Sequence, residues 1–478
     1  MPPETNVIAI DQGTTGTKAH RLRGDGTFEI VVAFEHRQIY PRQGWVEHDP
    51  EELARDVESA LDQAGDADAI GIANQGETVI AWDADTKRPI HNAIVWQDAR
   101  TADVTERLKA DGAEELTLKL AGLPLDPYFS ATKLRWLLDN VPEAAAIRKA
   151  GRLRLGTSDS FLLDRLTGRF ATDATTASRT SLMNLETLQW DQELADLFGV
   201  PLDCLPEICP TAGAFADARG IPVTASLVDQ QAALFGHGCR HKGDAKITFG
   251  TGAFALAVAG DAVPRDTESG LEATVAWKIG DGPVAYALQG GIYNAASAVN
   301  WARGLGLFTD YLEIDHFTAE SAIARGLVFV PALSGLSCPY WDRRAAGLWL
   351  GLGLETTRAD MMQALLEGVA LLAQKVMVAI DKLSPLAPVL SVDGGLTRNR
   401  YFTRFLADAT NKSVRVPSSA ELTGLGAAQL AMIGAGLAEP DTLPPSSPPK
   451  AEVAPAAPLS AELHARFSAA IERSKAWR

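Results

Sequence analysis

Three short apolar segments of this chain each run directly into a turn that contains glycine. They lie at residues 7–18 (VIAIDQGTTGTK), 245–252 (AKITFGTG) and 389–395 (VLSVDGG). Apolar runs of four or five residues that end in such turns are typical of buried strands. The repeat predicts that two parts of the chain present their turns to one shared cleft.

Helix signals alternate with these strands. Residues 49–52 (DPEE) supply an N-cap acid, a proline at the first helical position and an acid three residues after the cap. Leu53, Val57 and Leu61 then follow at intervals of four, as one buried helix face requires. A long helix is also predicted after Thr357. The alternation of strands and helices predicts an α/β fold.

The positions of the turns divide the chain into domains. We place a boundary near residue 240, so that residues 1–240 form an N-terminal domain and residues 241–440 a C-terminal domain. Residues 441–478 are predicted to form an arm and one terminal helix, because proline, serine and alanine dominate the stretch at 440–458.

Charge and cysteine content limit the partners. Lys and Arg total 44 against 60 for Asp and Glu, so the net charge is −16. That balance disfavours nucleic acid and anionic membranes as partners. No uninterrupted apolar stretch is long enough to span a bilayer, and the N-terminal residues lack a secretory signal pattern. The four cysteines show no Cys-x-x-Cys spacing, which indicates reduced thiols in a cytoplasmic protein.

The first turn carries groups that suit a phosphate. Glycine lets backbone N–H groups approach an anion, the hydroxyls of Thr14 and Thr15 add donors, and Lys18 adds positive charge. The carboxylate of Asp11 is suited instead to Mg²⁺. Neither the Walker A nor the Rossmann pattern is present. Each turn alone could simply reverse the chain, whereas the three together favour a nucleotide cleft.

The chain resembles the FGGY carbohydrate kinases, and within that family the glycerol kinase branch, from Asp11 to about Ala435. The resemblance is carried by residues 11–15 (DQGTT), 44–50 (GWVEHDP), 92–97 (NAIVWQ), 126–133 (DPYFSATK), 229–236 (DQQAALFG) and 339–342 (PYWD). It implies a two-domain actin-like ATPase (ribonuclease H-like) α/β fold with a nucleotide cleft between the domains. It also implies ATP and Mg²⁺ as cofactors, a small polyol or sugar as substrate, and a homodimer or homotetramer.

The resemblance also implies roles for individual residues. Asp229 is expected to be the general base that takes the proton of the attacking hydroxyl, and Asp11 and Asp229 are expected to lie at the metal. The residues expected to contact the nucleotide are Thr14, Thr15, Lys18, Thr251, Gly252, Ala296, Asn300, Gly395 and Asn399. Glycerol kinases usually have Gly and Gln at the positions of Ala296 and Asn300. From the residues alone, Asp229 could instead be the N-cap of a helix at 230–235.

The acceptor pocket departs most from the family pattern. The residues expected to bind substrate are Gly76, Glu77, Trp96, Tyr128, Asp229, Gln230 and Phe254. Glycerol kinases carry an arginine where this chain has Gly76, so a set of donors is lost and space is opened. We therefore expect weak use of glycerol or use of a longer polyol. Without the resemblance, Trp96 and Tyr128 could be ordinary core residues, and Glu77 a solvated loop acid.

Two other functions stay open at this point. The chain could be a pentulose kinase such as a xylulokinase, which would share the fold and the base. It could also be a non-catalytic nucleotide-binding protein of the actin-like fold, although Asp11 and Asp229 argue against that. Residues 217–222 (DARGIP) are short and poor in glycine. We therefore expect no inhibition by fructose 1,6-bisphosphate, which some family members bind through a loop in this region.

Overall fold

A computed structural model describes residues 5–265, 268–443 and 448–478. The first half of the chain is built on a six-stranded sheet. Its strands, in spatial order, are Ala212–Ala218, Ile221–Val228, Ala69–Asn74, Asn6–Gln12, Gly16–Arg23 and Phe28–Glu35. The strand Asn6–Gln12 pairs antiparallel with Gly16–Arg23 on one side and parallel with Ala69–Asn74 on the other. The hairpin between the first two strands contains the glycine turn.

The second half repeats this arrangement in a seven-stranded sheet. Its strands, in spatial order, are Glu272–Lys278, Val284–Ile292, Ala253–Gly260, Ala245–Phe249, Val389–Asp393, Ser413–Val416 and Ala451–Val453. The strand Ala245–Phe249 pairs antiparallel with Ala253–Gly260 and parallel with Val389–Asp393. The predicted organisation of two α/β halves is confirmed. The first and second glycine turns line one cavity between the halves, whereas the third turn does not line it.

Helices cover the faces of both sheets. Those in the first half are Pro50–Ala64, Ala102–Ala110, Glu114–Leu120, Ser130–Asn140, Pro142–Lys149, Ser158–Thr167, Ala174–Ala177, Gln192–Phe198 and Asp229–Gly236. Those in the second half are Ala296–Gly304, Arg358–Leu383, Arg400–Thr410, Leu422–Gly434 and Ala461–Ser474. Short 3₁₀ helices lie at Leu202–Cys204, Tyr311–Ile314, Gly395–Arg398 and Pro440–Thr442.

Smaller sheets complete the two halves. A four-stranded sheet has the order Glu47–His48, Ala93–Ile94, Val79–Asp83 and Leu153–Thr157. Two-stranded pairs join Ala171–Asp173 to Glu207–Cys209, Met183–Asn184 to Gln189–Trp190, and Val328–Val330 to Leu348–Leu350. These elements carry several loops that reach the cleft.

The helix starts predicted from the sequence are confirmed. The side chain of Asp49 accepts a hydrogen bond from the backbone N–H of Glu51, and Pro50 opens the helix. Leu53, Val57 and Leu61 are buried, as their spacing predicted. Farther along, Thr357 and Asp360 form a reciprocal capping box before Arg358–Leu383.

The helix Arg358–Leu383 is long and apolar enough to cross a membrane by length and composition. It is not an uninterrupted apolar stretch, because Gln363, Glu367, Gln374 and Lys375 lie within it. Most of its apolar stretch is buried inside the second half, where Leu365, Val369 and Val376 form part of the core. Its apolar character therefore reflects a core helix that is packed on nearly all sides.

The C-terminal arm belongs to the second half. Its strand Ala451–Val453 pairs antiparallel with Ser413–Val416, and Phe467 and Ile471 of the terminal helix are buried in the second core. The predicted terminal helix is observed as Ala461–Ser474. Part of the predicted arm, at 444–447, lies outside the described residues.

One helix of the second half packs on the first sheet. We call this helix, Leu422–Gly434, the crossover helix. It contacts the strands Asn6–Gln12 and Ala69–Asn74, and it runs beside the helix Asp229–Gly236. Although it lies within the predicted C-terminal domain, its packing thus ties the two halves together.

Gly426→Ala is expected to destabilise the protein. A Cβ at this position of the crossover helix would clash with the backbone oxygen of Ala232, which cannot retreat because it belongs to the neighbouring helix. We expect a loss of about 1–3 kcal/mol in the free energy of unfolding, as is usual for overpacking, measured by urea denaturation. Gly304→Ala is the control, because no atom lies within 4 Å of a Cβ there. Equal stability of the two variants would contradict the close helix contact.

Candidate active site

A cavity of about 710 Å³ lies between the two halves. Many of the residues predicted to bind substrate or phosphate line it: Thr14, Thr15, Gly76, Glu77, Trp96, Tyr128, Asp229, Gln230, Thr251, Gly252 and Phe254. They come from the glycine turns of both halves and from the ends of strands, as expected for an α/β fold. The structure therefore brings these residues together, and their individual roles stay predictions.

Three aromatic rings form a box in this cavity. The centroid of Trp96 lies 5.7 Å from that of Tyr128 and 6.1 Å from that of Phe254, both in edge-on geometry. The indole N–H of Trp96 donates to Oγ1 of Thr14 at 2.9 Å, which connects the box to the first glycine turn. Trp96 and Tyr128 are only half-buried and face the cavity, so the alternative that they are ordinary core residues is wrong.

Asp229 is the first residue of the helix Asp229–Gly236. The N-cap position is taken by Val228, and no side chain caps this helix, so the alternative that Asp229 is an N-cap is wrong. Burial, together with the nearby charges of Asp11 and Glu77, raises the pKa of the Asp229 carboxyl to about 7, although the charge of Lys246 opposes them. A carboxyl with a pKa close to neutral pH is suited to general base catalysis.

The rate of a reaction that uses Asp229 as its base is expected to fall at acid pH. The base must be ionised, so kcat/KM for the acceptor should decline about tenfold per pH unit below the pKa that Asp229 has in the Mg²⁺-ATP complex. A cation bound at Asp229 lowers that pKa from the value of about 7 that the carboxyl has without metal. The measurement is a pH profile of acceptor-dependent ADP release between pH 4.5 and 9, and a flat profile across this whole range would contradict the assignment.

Asp11 and Asp229 could hold a divalent cation between them. Asp11 lies near the end of the strand Asn6–Gln12, where burial raises the pKa of its carboxyl. No group of three or more His, Cys, Asp or Glu side chains in the described residues is arranged to bind a metal. Mg²⁺ does not require one, because one or two carboxylates with water and substrate phosphates usually hold it. These two carboxylates repel each other, and a cation bound between them would offset that repulsion.

Glu77 is buried, so the alternative that it is a solvated loop acid is wrong. It is 3% exposed and has a φ of 59°, which few residues other than glycine adopt. Its Oε1 accepts from Nε of Arg179 at 2.6 Å, and Nη2 of the same guanidinium donates to Oε2 of Glu272 at 2.7 Å. A buried Arg between two carboxylates therefore fixes Glu77 toward the cavity, at the cost of backbone strain.

The sequence analysis missed Arg179, Glu272 and Lys246. Arg179 and Glu272 line the cavity, and Lys246 is buried with its Nζ donating to Oε1 of Gln230 at 2.6 Å. Burial lowers the pKa of Lys246 to about 8. The sequence did contain a signal for Lys246, because a charged residue there interrupts an apolar segment that forms a buried strand. Arg179 stands alone in a run of small residues at 174–181.

Gly76 does not leave an open space beside its own backbone. A Cβ built at Gly76 would lie 3.0 Å from Cγ1 of Val228, which also lines the cavity. Space is therefore limited next to the main chain, and the expectation that glycine opens space in the acceptor pocket stays a prediction. Gly76 and Val228 form an apolar wall immediately before Asp229.

Lys18 lies outside this cavity. Its Nζ forms an ion pair with Glu421 at 2.8 Å, and Glu421 also contacts the buried ring of His20 at 3.1 Å. This arrangement connects the first hairpin to the start of the crossover helix. The contact of Lys18 with phosphate therefore stays a prediction, and the ion pair of Lys18 with Glu421 does not support it.

The remaining nucleotide residues also lie outside the cavity. Ala296 begins a helix and donates its backbone N–H to the oxygen of Gly250 at 3.0 Å, directly behind the second glycine turn. Asn300 accepts from the exposed hydroxyl of Tyr311 at 3.0 Å. Their nucleotide roles stay predictions.

Gly395 and Asn399 lie at the start and just after the end of a 3₁₀ helix that follows the third glycine turn. Gly395 begins that helix, at Gly395–Arg398. The side chain of Asn399 caps the next helix by accepting from the N–H of Phe402 at 2.7 Å. Its amide group donates to the oxygen of Ile314 at 2.7 Å. Asn399 therefore already has a structural role, and its contact with the nucleotide stays a prediction.

Comparison with known proteins places this geometry in a family. Residues 6–236 match the N-terminal domain, and residues 245–435 the C-terminal domain, of the FGGY family of carbohydrate kinases. The chain is 41% identical to glycerol kinase of Bdellovibrio bacteriovorus, over 90% of this chain and 91% of that protein. It is 40% identical to glycerol kinase of Haloferax volcanii, over 100% of this chain and 99% of that protein.

Solved structures show the same two-domain fold. The crystal structure of Plasmodium falciparum glycerol kinase with ADP matches with a TM-score of 0.89 and 31% identity, over 98% of both chains. A xylulose kinase from Lactobacillus acidophilus matches with a TM-score of 0.85 and 22% identity, over 98% of this chain and 97% of that one, which supports the fold alone. With matches to both family domains and to full-length relatives, the chain belongs to the FGGY family of carbohydrate kinases and is a phosphotransferase.

Proposed function

We propose that this kinase transfers the terminal phosphate of ATP to a terminal hydroxyl of a small, uncharged polyol. The observation that carries the proposal is the position of Asp229. A carboxyl with a pKa near 7 lines the cavity together with the aromatic box and both glycine turns. The curated relatives named glycerol kinase make glycerol the reference acceptor.

Each part of the cavity has a task in this reaction. Asp229 accepts the proton of the attacking hydroxyl, because an alcohol is a poor nucleophile at neutral pH. Trp96 and Phe254 pack on the carbon chain of the acceptor, and Glu77 and Gln230 bind its hydroxyls. This fixes the acceptor in line with the phosphate, and positioning is most of the catalysis in phosphoryl transfer.

The glycine turns hold the nucleotide phosphates. Thr14 and Thr15 donate from the first half, and Thr251 and Gly252 from the second. A bound Mg²⁺ would neutralise charge on the phosphates, and Asp11 with Asp229 would hold it. The family resemblance assigns contacts with the rest of the nucleotide, beyond its phosphates, to Ala296, Asn300, Gly395 and Asn399.

Four further proposals rest on the family resemblance and the sequence. We propose a cytoplasmic enzyme, which the buried thiols of Cys204, Cys209 and Cys239, none of them in a disulfide, support. We also propose a homodimer or homotetramer, no nucleic acid or membrane partner, and no inhibition by fructose 1,6-bisphosphate. Residues 217–222 support the last of these, because they form the tight connection between the paired strands Ala212–Ala218 and Ile221–Val228.

The test is ADP release with Mg²⁺-ATP across a panel of acceptors. The panel holds glycerol, dihydroxyacetone, erythritol, both threitols, ribitol and D-xylulose, and Asp229→Asn serves as the blank. We expect release that depends on a polyol and on Asp229. Release only with D-xylulose would favour the pentulose kinase alternative. Binding of ATP without release on any acceptor would favour a non-catalytic protein.

A further inference from the structure

Lys246 is a fully buried lysine whose Nζ lies directly behind the cavity. It belongs to the strand Ala245–Phe249, and its side chain is one of the largest that the fold buries completely. Its Nζ donates to Oε1 of Gln230 at 2.6 Å and to Oγ1 of Thr248 at 3.0 Å. Gln230 and Thr248 line the cavity, whereas Lys246 does not. Lys246 can therefore affect the acceptor only through the residues that it contacts.

Lys246 belongs to a polar layer on one face of the second sheet. Lys246 and Thr248 are two residues apart on their strand, so their side chains share that face. The neighbouring parallel strand places Ser391 beside Lys246 and Asp393 beside Thr248. Oγ of Ser391 lies 2.7 Å from Nδ1 of His237, which directly follows the helix that begins at the proposed base. The layer therefore connects the second sheet to the helix that carries this base.

The charges in this layer keep Lys246 protonated. Burial lowers the pKa of its ammonium to about 8, although the charges of Asp393 and Asp229 oppose this shift. Burial raises the pKa of Asp393, but hydrogen bonds, the largest effect coming from His237, and the charge of Lys246 bring it below its usual value. At neutral pH Lys246 is therefore an ammonium group, which donates hydrogen bonds and cannot accept them.

A lysine that only donates fixes the orientation of the Gln230 amide. The amide has an acceptor oxygen on one side and a nitrogen with two N–H donors on the other. Because Oε1 must face the ammonium of Lys246, Nε2 points away from it. Nε2 has no hydrogen-bond partner in the described part of the chain, yet it is not a buried atom, and Gln230 lines the cavity. Gln230 therefore presents its N–H donors to the cavity.

A donor at this place complements the carboxylates of the site. Asp229 and Glu77, when ionised, can only accept hydrogen bonds, and the indole N–H of Trp96 is already donated to Thr14. A hydroxyl that gives its proton to a carboxylate still needs a donor for its oxygen. Gln230 supplies one directly after the base along the chain. With its amide reversed, it would instead add a further acceptor to a site that already has several.

We propose that Lys246 is a positioning residue that holds the Gln230 amide with its N–H donors toward the acceptor, and so orients the hydroxyls beside the base. This inference rests on the proposed function and deepens it. Without Lys246 the amide can turn, and the acceptor loses a donor that was already in place before binding. Such preorganisation matters because phosphoryl transfer depends on the position of the attacking group.

The first test is Lys246→Met, which keeps an unbranched side chain but removes the donor. The measurement is steady-state ADP release with the acceptor of the panel that gives the highest wild-type kcat/KM. We expect kcat/KM for this acceptor to fall about tenfold, the usual effect of one lost hydrogen bond. The KM for Mg²⁺-ATP should stay within about twofold of the wild type, because Gln230 contacts the acceptor and not the nucleotide.

A double-mutant cycle tests whether Lys246 acts through Gln230. Gln230→Leu removes the amide and should also lower kcat/KM for the acceptor about tenfold. The double variant Lys246→Met with Gln230→Leu should be no worse than Gln230→Leu alone, because the lysine has no amide left to hold. Two independent losses would instead multiply to about 100-fold, and that result would overturn the inference.

Gln230→Glu tests the orientation with Lys246 in place, and so decides even if Lys246→Met does not fold. The carboxylate keeps an oxygen for Lys246 but has no N–H to offer the acceptor. We expect kcat/KM for the acceptor to fall as far as in Gln230→Leu, while the contact with the lysine remains. Wild-type kcat/KM in Gln230→Glu would show that the donors of this amide are not used.

Two further variants separate positioning from structure. Lys412→Met removes another largely buried lysine of the second half, whose Nζ donates to the backbone oxygens of Leu386 and Ala387 at 3.3 and 3.1 Å, outside the cavity. It should leave kcat and both KM values unchanged, whatever its effect on the melting temperature. Lys246→Arg keeps a group that only donates and should retain more of the wild-type kcat/KM than Lys246→Met.

The outcomes distinguish this inference from the proposed function. Unchanged kcat/KM for the acceptor in Lys246→Met, or a rise in the KM for Mg²⁺-ATP alone, overturns the inference. The proposed function would still stand, provided that the wild type releases ADP in a reaction that depends on Asp229. Absence of such release with every acceptor overturns both.

Discussion

Asp229→Asn is expected to lower kcat for acceptor phosphorylation by about 10³-fold, within the range usual for loss of a general base. The amide keeps the shape of the side chain but cannot accept the proton of the attacking hydroxyl. The measurement is steady-state ADP release at pH 8 with saturating Mg²⁺-ATP. The KM for the acceptor should change far less than kcat, because the aromatic box and Glu77 are intact.

The same substitution is expected to raise stability. The folded state raises the pKa of Asp229 from 3.8 to about 7. The ionised carboxylate therefore costs folding free energy above pH 3.8, and this cost grows until about pH 7. The amide introduced by Asp229→Asn carries no charge, so the melting temperature of the variant should exceed that of the wild type at pH 8 in Mg²⁺-free buffer. The difference should shrink as the pH approaches 4.

Asp217→Asn is the matched control for both measurements, because Asp217 is exposed on the first sheet. It should change neither kcat nor the melting temperature. A variant of Asp229 that lost activity and stability together would indicate a structural role for the carboxyl. An active Asp229→Asn would remove Asp229 from the mechanism.

Gly76→Arg combined with Val228→Gly is expected to shift substrate preference toward glycerol by about 10- to 100-fold, the range for one hydrogen bond from a charged donor. The arginine would place donors beside Asp229, where the present wall is apolar. The measurement is the ratio of kcat/KM for glycerol to that for erythritol. An unchanged ratio in a folded double variant would show that this wall does not select substrate.

The single substitutions are needed beside the double variant. Gly76→Arg alone brings a Cβ to 3.0 Å from Cγ1 of Val228, so it should be less stable than the wild type by about 1–3 kcal/mol. Val228→Gly removes that conflict but adds no donor, so it should fold without gaining preference for glycerol. Stability recovered in the double variant would show that the two positions are coupled.

Local structure could be predicted from the sequence because it depends on near neighbours. Asp49 and Pro50 start a helix through contacts within one turn, and Thr357 with Asp360 starts another. The apolar runs before the glycine turns become buried strands because few alternatives bury them as well. The same local motifs, through their family resemblance, placed Asp229 and the aromatic box in one cleft.

Only the tertiary structure decided which buried charged side chains pair with each other. Arg179 reaches the cavity because its partners Glu77 and Glu272 lie 102 and 93 residues away. Lys18 turns to Glu421, which lies 403 residues away. No local pattern encodes such pairs, since a charge is buried only where the fold supplies its partner.

The position of Val228 against Gly76 has the same origin. The glycine indicates only that a side chain is missing, whereas a neighbouring strand determines what fills the gap. The sequence by itself thus determined the strands, the turns, the helix caps and the position of Asp229, the proposed base. Only the folded chain decided which groups face the acceptor beyond that base, because close packing and charge pairing act between segments that are distant along the chain.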